Sequence, residues 1–210
     1  MSEAQQRDAQ TRVRETHHRT KNDLQGIAAL LRYTTPADPA AALAIVDAVA
    51  RIQAIAIVHG LQMGDDDQLV PLVDLLNGIA ANAAQTLQVD EPRIEPASFI
   101  ELPHIRAQDA VAIALAGNEL STYALRTCTG AAGVAGRWSM AGSSVRFALV
   151  FAASLPAGFT LDSVSRSMQG LGLAKSLLPR NGTRLELMPE RERVVLQLSV
   201  DAPVLVGISA

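Results

Sequence analysis

The sequence predicts an α+β fold in two domains. Residues 1–66 form an antiparallel helical hairpin that joins a second copy as a dimeric four-helix bundle, and residues 67–210 form an α/β sandwich. Three observations carry this. Apolar residues in the N-terminal part recur in alternating steps of four and three, the period of helices packed in a bundle. Thr34-Thr35-Pro36-Ala37-Asp38-Pro39 breaks the pattern, because proline lacks an N–H and disfavours helix in the residue before it. Beyond residue 68 helical periods alternate with strand periods, as expected for helices laid on one face of a mixed sheet.

The first helix is expected over residues 3–34, on the stripe Val13, His17, Thr20, Leu24, Ile27, Leu31, with Leu30 beside it. A second, very apolar helix over 40–62 carries Ile45, Val49, Ile52, Ala56 and His59 on one stripe and ends near Gly60. A short loop between two such helices makes a hairpin, and two hairpins make a four-helix bundle. Gly64-Asp65-Asp66-Asp67 is a solvated linker at the boundary; no neighbouring oxygen ligands make it a cation site.

In the second domain, Val70–Gln88 is expected to be a helix and Arg93–Glu101 a strand bounded by prolines. Ala107–Cys128 is a helix, and Val145, Phe147, Leu149 and Phe151 alternate with smaller or polar residues as a half-buried strand. Gly170–Leu178 is a short helix opened by glycines. Arg184–Leu187 and Val194–Val200 close the chain as a hairpin around Pro189-Glu190-Arg191-Glu192.

Composition narrows the function classes. The chain is 49% hydrophobic and 19% charged with a net charge of −3, which is ordinary for a soluble globular protein. A pI near 5.8 without a basic stripe argues against nucleic acid as the main partner. The single cysteine, Cys128, cannot close an internal disulfide, which fits a reducing compartment. The N-terminus is polar, not a signal peptide, and no uninterrupted apolar run approaches the roughly 18 residues that span a bilayer, so a cytoplasmic location away from the membrane is expected. Aromatic residues are only 3% of the chain. An alanine-rich hairpin buries little surface alone, so a homodimer is expected to complete its core.

The chemically loaded stretch is Thr16-His17-His18-Arg19-Thr20-Lys21-Asn22-Asp23-Leu24-Gln25. At about 3.6 residues per turn, His18, Lys21 and Asn22 project together, and Arg14 joins them from the preceding turn. His17 lies on the apolar stripe, whereas His18 is rotated about 100° from it toward solvent. An exposed imidazole with a pKa of about 6.5 is largely neutral and nucleophilic at cellular pH. Cationic and amide donors around it suit a phosphoryl group carried on nitrogen. Elsewhere, His59 on its apolar stripe is expected to pack, and His104 after Pro103 is expected on a surface loop. Four histidines without ligand spacing and one cysteine make no zinc site, and no serine has the Gly-x-Ser-x-Gly setting of a hydrolase.

These motifs bring a family into view. His17-His18-Arg19-Thr20-Lys21-Asn22-Asp23-Leu24-Gln25 resembles the phosphoacceptor box of the sensor histidine kinases that carry His-His-Arg-x-Lys-Asn-x-Leu-Gln. Arg51-Ile52-Gln53-Ala54-Ile55-Ala56-Ile57-Val58-His59 resembles the motif on the same subfamily's second helix. The resemblance implies that His18 is the phosphorylated residue and that Arg19 belongs to the site.

Residues 68–200 resemble the kinases' ATP-binding domain, with departures. The family helix motif Asn-Glu-Leu-x-x-Asn-Ala-x-Lys-His stands here as Asn118-Glu119-Leu120-Ser121-Thr122-Tyr123-Ala124-Leu125-Arg126-Thr127. Tyr123 replaces the Mg²⁺-binding asparagine, and a phenol is a poor Mg²⁺ ligand at neutral pH. The family's Asp-x-Gly after a strand, which reads adenine, is absent from Ala152-Ala153-Ser154-Leu155-Pro156-Ala157-Gly158. The glycine box survives as Gln169-Gly170-Leu171-Gly172-Leu173. Glu119 is kept, and the helix could hold it as a solvated or capping charge.

What the resemblance then implies is a dimeric histidine phosphotransferase of a bacterial phosphorelay: a kinase-like core with a degenerate ATP domain. It would bind no cofactor itself, with Mg²⁺ in the partner receiver domain of a response regulator. His18 would take phosphate from one receiver aspartate and pass it to another. Arg14 and Lys21 would neutralise the phosphoryl oxygens, Asn22 would hydrogen-bond them, and Glu15 would orient the imidazole. Two other readings stay open: a non-catalytic pseudokinase that binds and regulates a response regulator, and an active soluble histidine kinase.

Overall fold

Two long helices open the chain, α1 (Glu3–Arg32) and α2 (Pro39–Leu61), packed side by side as a hairpin. The computed structural model describes residues 3–34, 36–62, 69–99, 101–153, 169–190 and 192–206. The break between the helices is built as the prolines require. Asp38 caps α2 by accepting from the Ala40 N–H at 3.0 Å, and Pro39 stands in the first turn, where its missing donor costs nothing. By length and composition α2 is apolar enough to cross a bilayer. Here it lies between α1 and the C-terminal domain, with Val49, Ala50, Ala54, Ala56 and Val58 buried.

The C-terminal domain contains β1 (Leu69–Pro71), α3 (Leu72–Leu87), β2 (Arg93–Ile94), β3 (His104–Arg106), α4 (Ala107–Thr127), β4 (Ala135–Ala141), β5 (Ser144–Ala152), α5 (Gln169–Leu177), β6 (Thr183–Glu190), β7 (Arg193–Val200) and β8 (Leu205–Val206). Five strands form one mixed sheet in the order β2-β4-β5-β7-β6, in which β2 and β4 are parallel and the rest antiparallel. A small antiparallel sheet, β1-β3-β8, closes the other end.

The large sheet presents Val145, Phe147, Leu149 and Phe151 of β5, in register with Val200, Leu198, Leu196 and Val194 of β7. These residues pack with Leu75, Leu76 and Ile79 of α3 and Ile113 and Leu120 of α4 in one core. Period-two alternation puts every second residue on this face, so the two strands bury an almost unbroken apolar layer.

The structure corrects several expectations. The helix expected from Val70 starts at Leu72, because Leu69–Pro71 pairs with β3 and the Leu72 N–H donates to the Pro103 carbonyl at 2.9 Å. The strand expected over Arg93–Glu101 shrinks to Arg93–Ile94; Pro96 has no N–H to continue a ladder. His104 is half-buried in β3, not on a loop, and pairs with Pro71 and Val206. Strand β4 was not anticipated; its Gly-Arg-Trp-Ser-Met core lacks a clear apolar alternation. The closing hairpin extends further than expected, with Pro189 and Glu190 still in β6. The Gly64–Asp67 linker and all but the first two residues of Ala152–Gly158 lie outside the described residues.

Candidate functional site

The middle of α1 separates its two histidines. His17 is half-buried and faces α2, where its Nδ1 lies 3.0 Å from Nδ1 of His59. One of these nitrogens donates and the other accepts, so the pair shares a proton across the hairpin. Burial lowers the pKa of His59, and the neighbouring His17 adds to the effect.

His18, one residue on, is exposed. Its Nδ1 is 3.1 Å from the Asn22 amide, one turn away. As placed, the Asn22 Nδ2 donates to Nδ1, and a half-turn of the amide presents its oxygen there instead. With the amide oxygen turned to Nδ1, it accepts Nδ1–H and leaves the Nε2 lone pair pointing to solvent.

The surrounding residues are arranged differently from the sequence expectation. Arg14 is exposed on the same side of α1. Lys21 is half-buried, with its chain running over Gly60 of α2. A methyl group at Gly60 would stand 3.3 Å from the Lys21 Nζ, so glycine makes room for this crossing. Glu15 does not reach toward the imidazole; its carboxylate is paired with Arg19, both exposed. Asn22 contacts the imidazole itself. Thus His18, Asn22 and Arg14 share a solvent-facing surface, Lys21 borders the α1–α2 seam, and Arg19 and Glu15 hold each other.

A second site lies between α2 and the C-terminal domain, in a cleft of about 350 Å³. It is lined by Asp47 and Arg51 of α2, Glu119, Tyr123 and Arg126 of α4, and Gly170 at the start of α5. Tyr123 is 6% exposed and packs edge-on against Phe151, with ring centroids 6.2 Å apart. Burial raises its pKa, so the phenol stays protonated and offers no anionic ligand.

Glu119 is neither solvated nor a helix cap. It is 7% exposed and accepts from the Arg51 Nε at 2.7 Å. That hydrogen bond raises the Arg51 pKa. Gly170 packs directly on the same carboxylate: a Cβ there would collide with Glu119 Oε2. A second pair, Arg126 with Asp47 at 2.6 Å, crosses the same α2–α4 interface. Sequence reasoning missed both pairs. The available signal was Asp47 and Arg51 one turn apart on an otherwise apolar helix. No group of histidine, cysteine, aspartate and glutamate suited to a metal occurs among the described residues.

Known proteins fit this arrangement. Residues 15–87 match the HisKA_2 family model, described as histidine kinase. The chain is 40% identical over 85 residues to the sensor histidine kinase PdtaS of Mycobacterium tuberculosis, a match covering 38% of this chain and 16% of that protein. It is 35% identical over 82 residues to PdtaS of Mycolicibacterium smegmatis, with the same coverage. The match thus spans 16% of the length of each of these curated relatives. The histidine kinase domain of the Erythrobacter litoralis EL346 blue-light activated histidine kinase superposes with a TM-score of 0.58 at 15% identity, covering 92% of this chain and 94% of that one. The longer EL346 structure gives 0.57 at 17% identity, covering 90% and 58%. The hairpin with its His-His-Arg box is thus similar to histidine kinases over residues 15–87, and the fold as a whole is similar to that of a histidine kinase domain.

Proposed function

We propose that this chain is a histidine phosphotransferase of a two-component phosphorelay, carrying phosphate on His18 between receiver-domain aspartates without using ATP. The observation that carries the reading is the exposed His18 imidazole with Nδ1 held by Asn22. A receiver bearing an aspartyl phosphate docks on α1, and Mg²⁺ belongs to the receiver's acidic pocket. The His18 Nε2 lone pair attacks phosphorus in line. A P–N bond forms as the P–O bond to the aspartate breaks, and the receiver keeps its carboxylate. With the Asn22 amide turned so that its oxygen accepts Nδ1–H, the imidazole keeps that proton throughout the transfer. Attack by a second receiver's carboxylate then cleaves P–N and regenerates His18. Such exchange depends on positioning and charge neutralisation. Arg14 supplies positive charge from the same face, and Lys21 does so from the seam.

The absence of ATP use rests on the cleft. Tyr123 stands where the family's Mg²⁺-binding asparagine would be, and Glu119 is engaged by Arg51. The homodimer rests on Val13, Ile27, Leu30 and Leu43, which a single hairpin leaves exposed to a second copy.

The test is incubation with a phosphorylated receiver. Acid-labile, base-stable label should appear on this protein and vanish in His18→Ala, while receiver binding persists. Binding without label in the native chain, with signalling retained by His18→Ala, would favour the non-catalytic regulator. An active kinase is the second reading, favoured by relatives that are named sensor histidine kinases. Labelled ATP with Mg²⁺ and no partner decides it, because incorporation at His18 would replace the phosphotransferase reading.

A further inference from the structure

We propose that a cavity at the closed end of the hairpin binds a small amphipathic carboxylate, one negative charge on an aromatic or alkyl body. Its charged wall, Arg32, lies about 21 Å along α1 from His18 at roughly 1.5 Å per residue. The site is therefore independent of whether His18 carries phosphate.

The cavity measures about 530 Å³, within the range of small-molecule sites. Three pieces of the chain enclose it: the end of α1 with the residues after it, the first half of α2, and the end of α3. Its apolar side is Ala42, Ile45, Val46 and Val49, an i, i+3, i+4, i+7 stripe on α2. Asp47 and Arg51 leave the same helix toward α4, so the two faces of α2 serve different neighbours. Pro36 adds apolar surface from the connection between the helices.

Polar groups gather on the other walls. Among the described residues that line the cavity, Arg32 carries the only formal charge. It has no ion-pair or hydrogen-bond partner among the described residues. Across from α1, Thr86 is committed: its hydroxyl donates to Gln53 Oε1 at 3.0 Å, which fixes the end of α3 on α2. Gln88 supplies an independent observation. It is the one non-glycine residue with a positive φ among the described residues, at 57°. It ends α3 in the left-handed conformation, where glycine is the usual choice because it has no Cβ. The chain keeps a glutamine there, against that preference, and its side chain lines the cavity with Gln85.

These walls select the charge of the ligand. A cation would meet Arg32. A phosphate dianion would be half neutralised by one guanidinium, and the apolar stripe offers no donors to its remaining oxygens. A carboxylate takes a charge-assisted hydrogen bond from Arg32 while its body covers Ile45, Val46 and Val49.

An NMR amide titration of the whole chain with phenylbutyrate tests the site. Saturable binding with a Kd of about 0.1–1 mM is expected for a ligand of this size. The shifts should be confined to the end of α1, the first half of α2 and the end of α3. Phenylbutanol, the same body without charge, should bind about tenfold more weakly. Arg32→Glu should weaken phenylbutyrate by a similar factor and strengthen phenylbutylamine. Val46→Trp fills the cavity and should abolish binding of acid and alcohol alike. Arg32 is exposed, so Arg32→Glu decides the matter even where Val46→Trp fails to fold. The proposal is overturned if acid and alcohol bind equally, if Arg32→Glu leaves the affinity unchanged, or if no saturation appears by about 10 mM. It also fails if phenylbutyrate does not bind and Val46→Trp abolishes self-association in sedimentation, which would make the cavity a contact between copies.

Discussion

Nδ1 of His17 lies 3.0 Å from Nδ1 of His59, an imidazole pair that ties α1 to α2 beside the exposed His18. Two protonated rings cannot keep this contact, since both nitrogens would then be donors. The His59 pKa is lowered by burial first and by His17 second. In the unfolded chain His59 titrates at about 6.5. The folded state therefore binds fewer protons over the window from 6.5 down to the depressed value. Stability is full above about pH 6.5 and falls as acidification proceeds through the folded pKa. Thermal melts between pH 7.5 and 5 should show this loss, and His59→Asn should flatten it. An equally steep acid slope in His59→Asn would assign the effect to other groups.

Asn22 holds Nδ1 of His18 at 3.1 Å. A net hydrogen bond contributes about 0.5–1.5 kcal/mol, so its loss should slow a step that depends on it by roughly two- to tenfold. Asn22→Ala is expected to take up phosphate from a receiver at that reduced rate, with receiver affinity unchanged. A drop in affinity with the transfer rate intact would place Asn22 in docking instead.

Gly170 leaves its missing Cβ to the Glu119 carboxylate. In Gly170→Ala the carboxylate must shift and its bond to Arg51 must stretch. Crowding of this kind costs about 1–3 kcal/mol, against up to about 1 kcal/mol gained from helix propensity. A net loss of about 1–2 kcal/mol is expected in denaturant unfolding. A stabilised variant would mean that Glu119 swings aside freely.

Asp38 caps α2 through the Ala40 N–H. Asp38→Ala should cost about 1 kcal/mol, whereas Asp38→Asn or Asp38→Ser should cost little. Equilibrium unfolding of the three variants separates capping from a general effect of charge removal.

The helical hairpin was legible in the sequence because its information is local. The stripe through Val13, His17 and Leu24 and the break at Pro36 and Pro39 state period and boundary directly. The same periodicity separates His17 from His18, and the exposures follow it. The short pieces were harder. Strands β1, β3 and β8 are two or three residues long, too short for any period to show, and exist because each finds a partner far along the chain. The expected strand after Arg93 failed for the complementary reason: favourable residues were present, but only two of them met the parallel partner β4.

The candidate site divides along the same line. An imidazole's place on a helix face follows from about 3.6 residues per turn, so the sequence by itself determined that His18 faces outward beside Asn22. It did not determine where Glu119 or Glu15 would spend their charge. Glu15 found Arg19 one turn along its own helix, while Glu119 found Arg51, 68 positions away. A buried carboxylate must be paired, and its partner is whichever cation the packing of α2 on α4 brings within reach. Only the tertiary structure decides that, because helix packing fixes distances that no local pattern records.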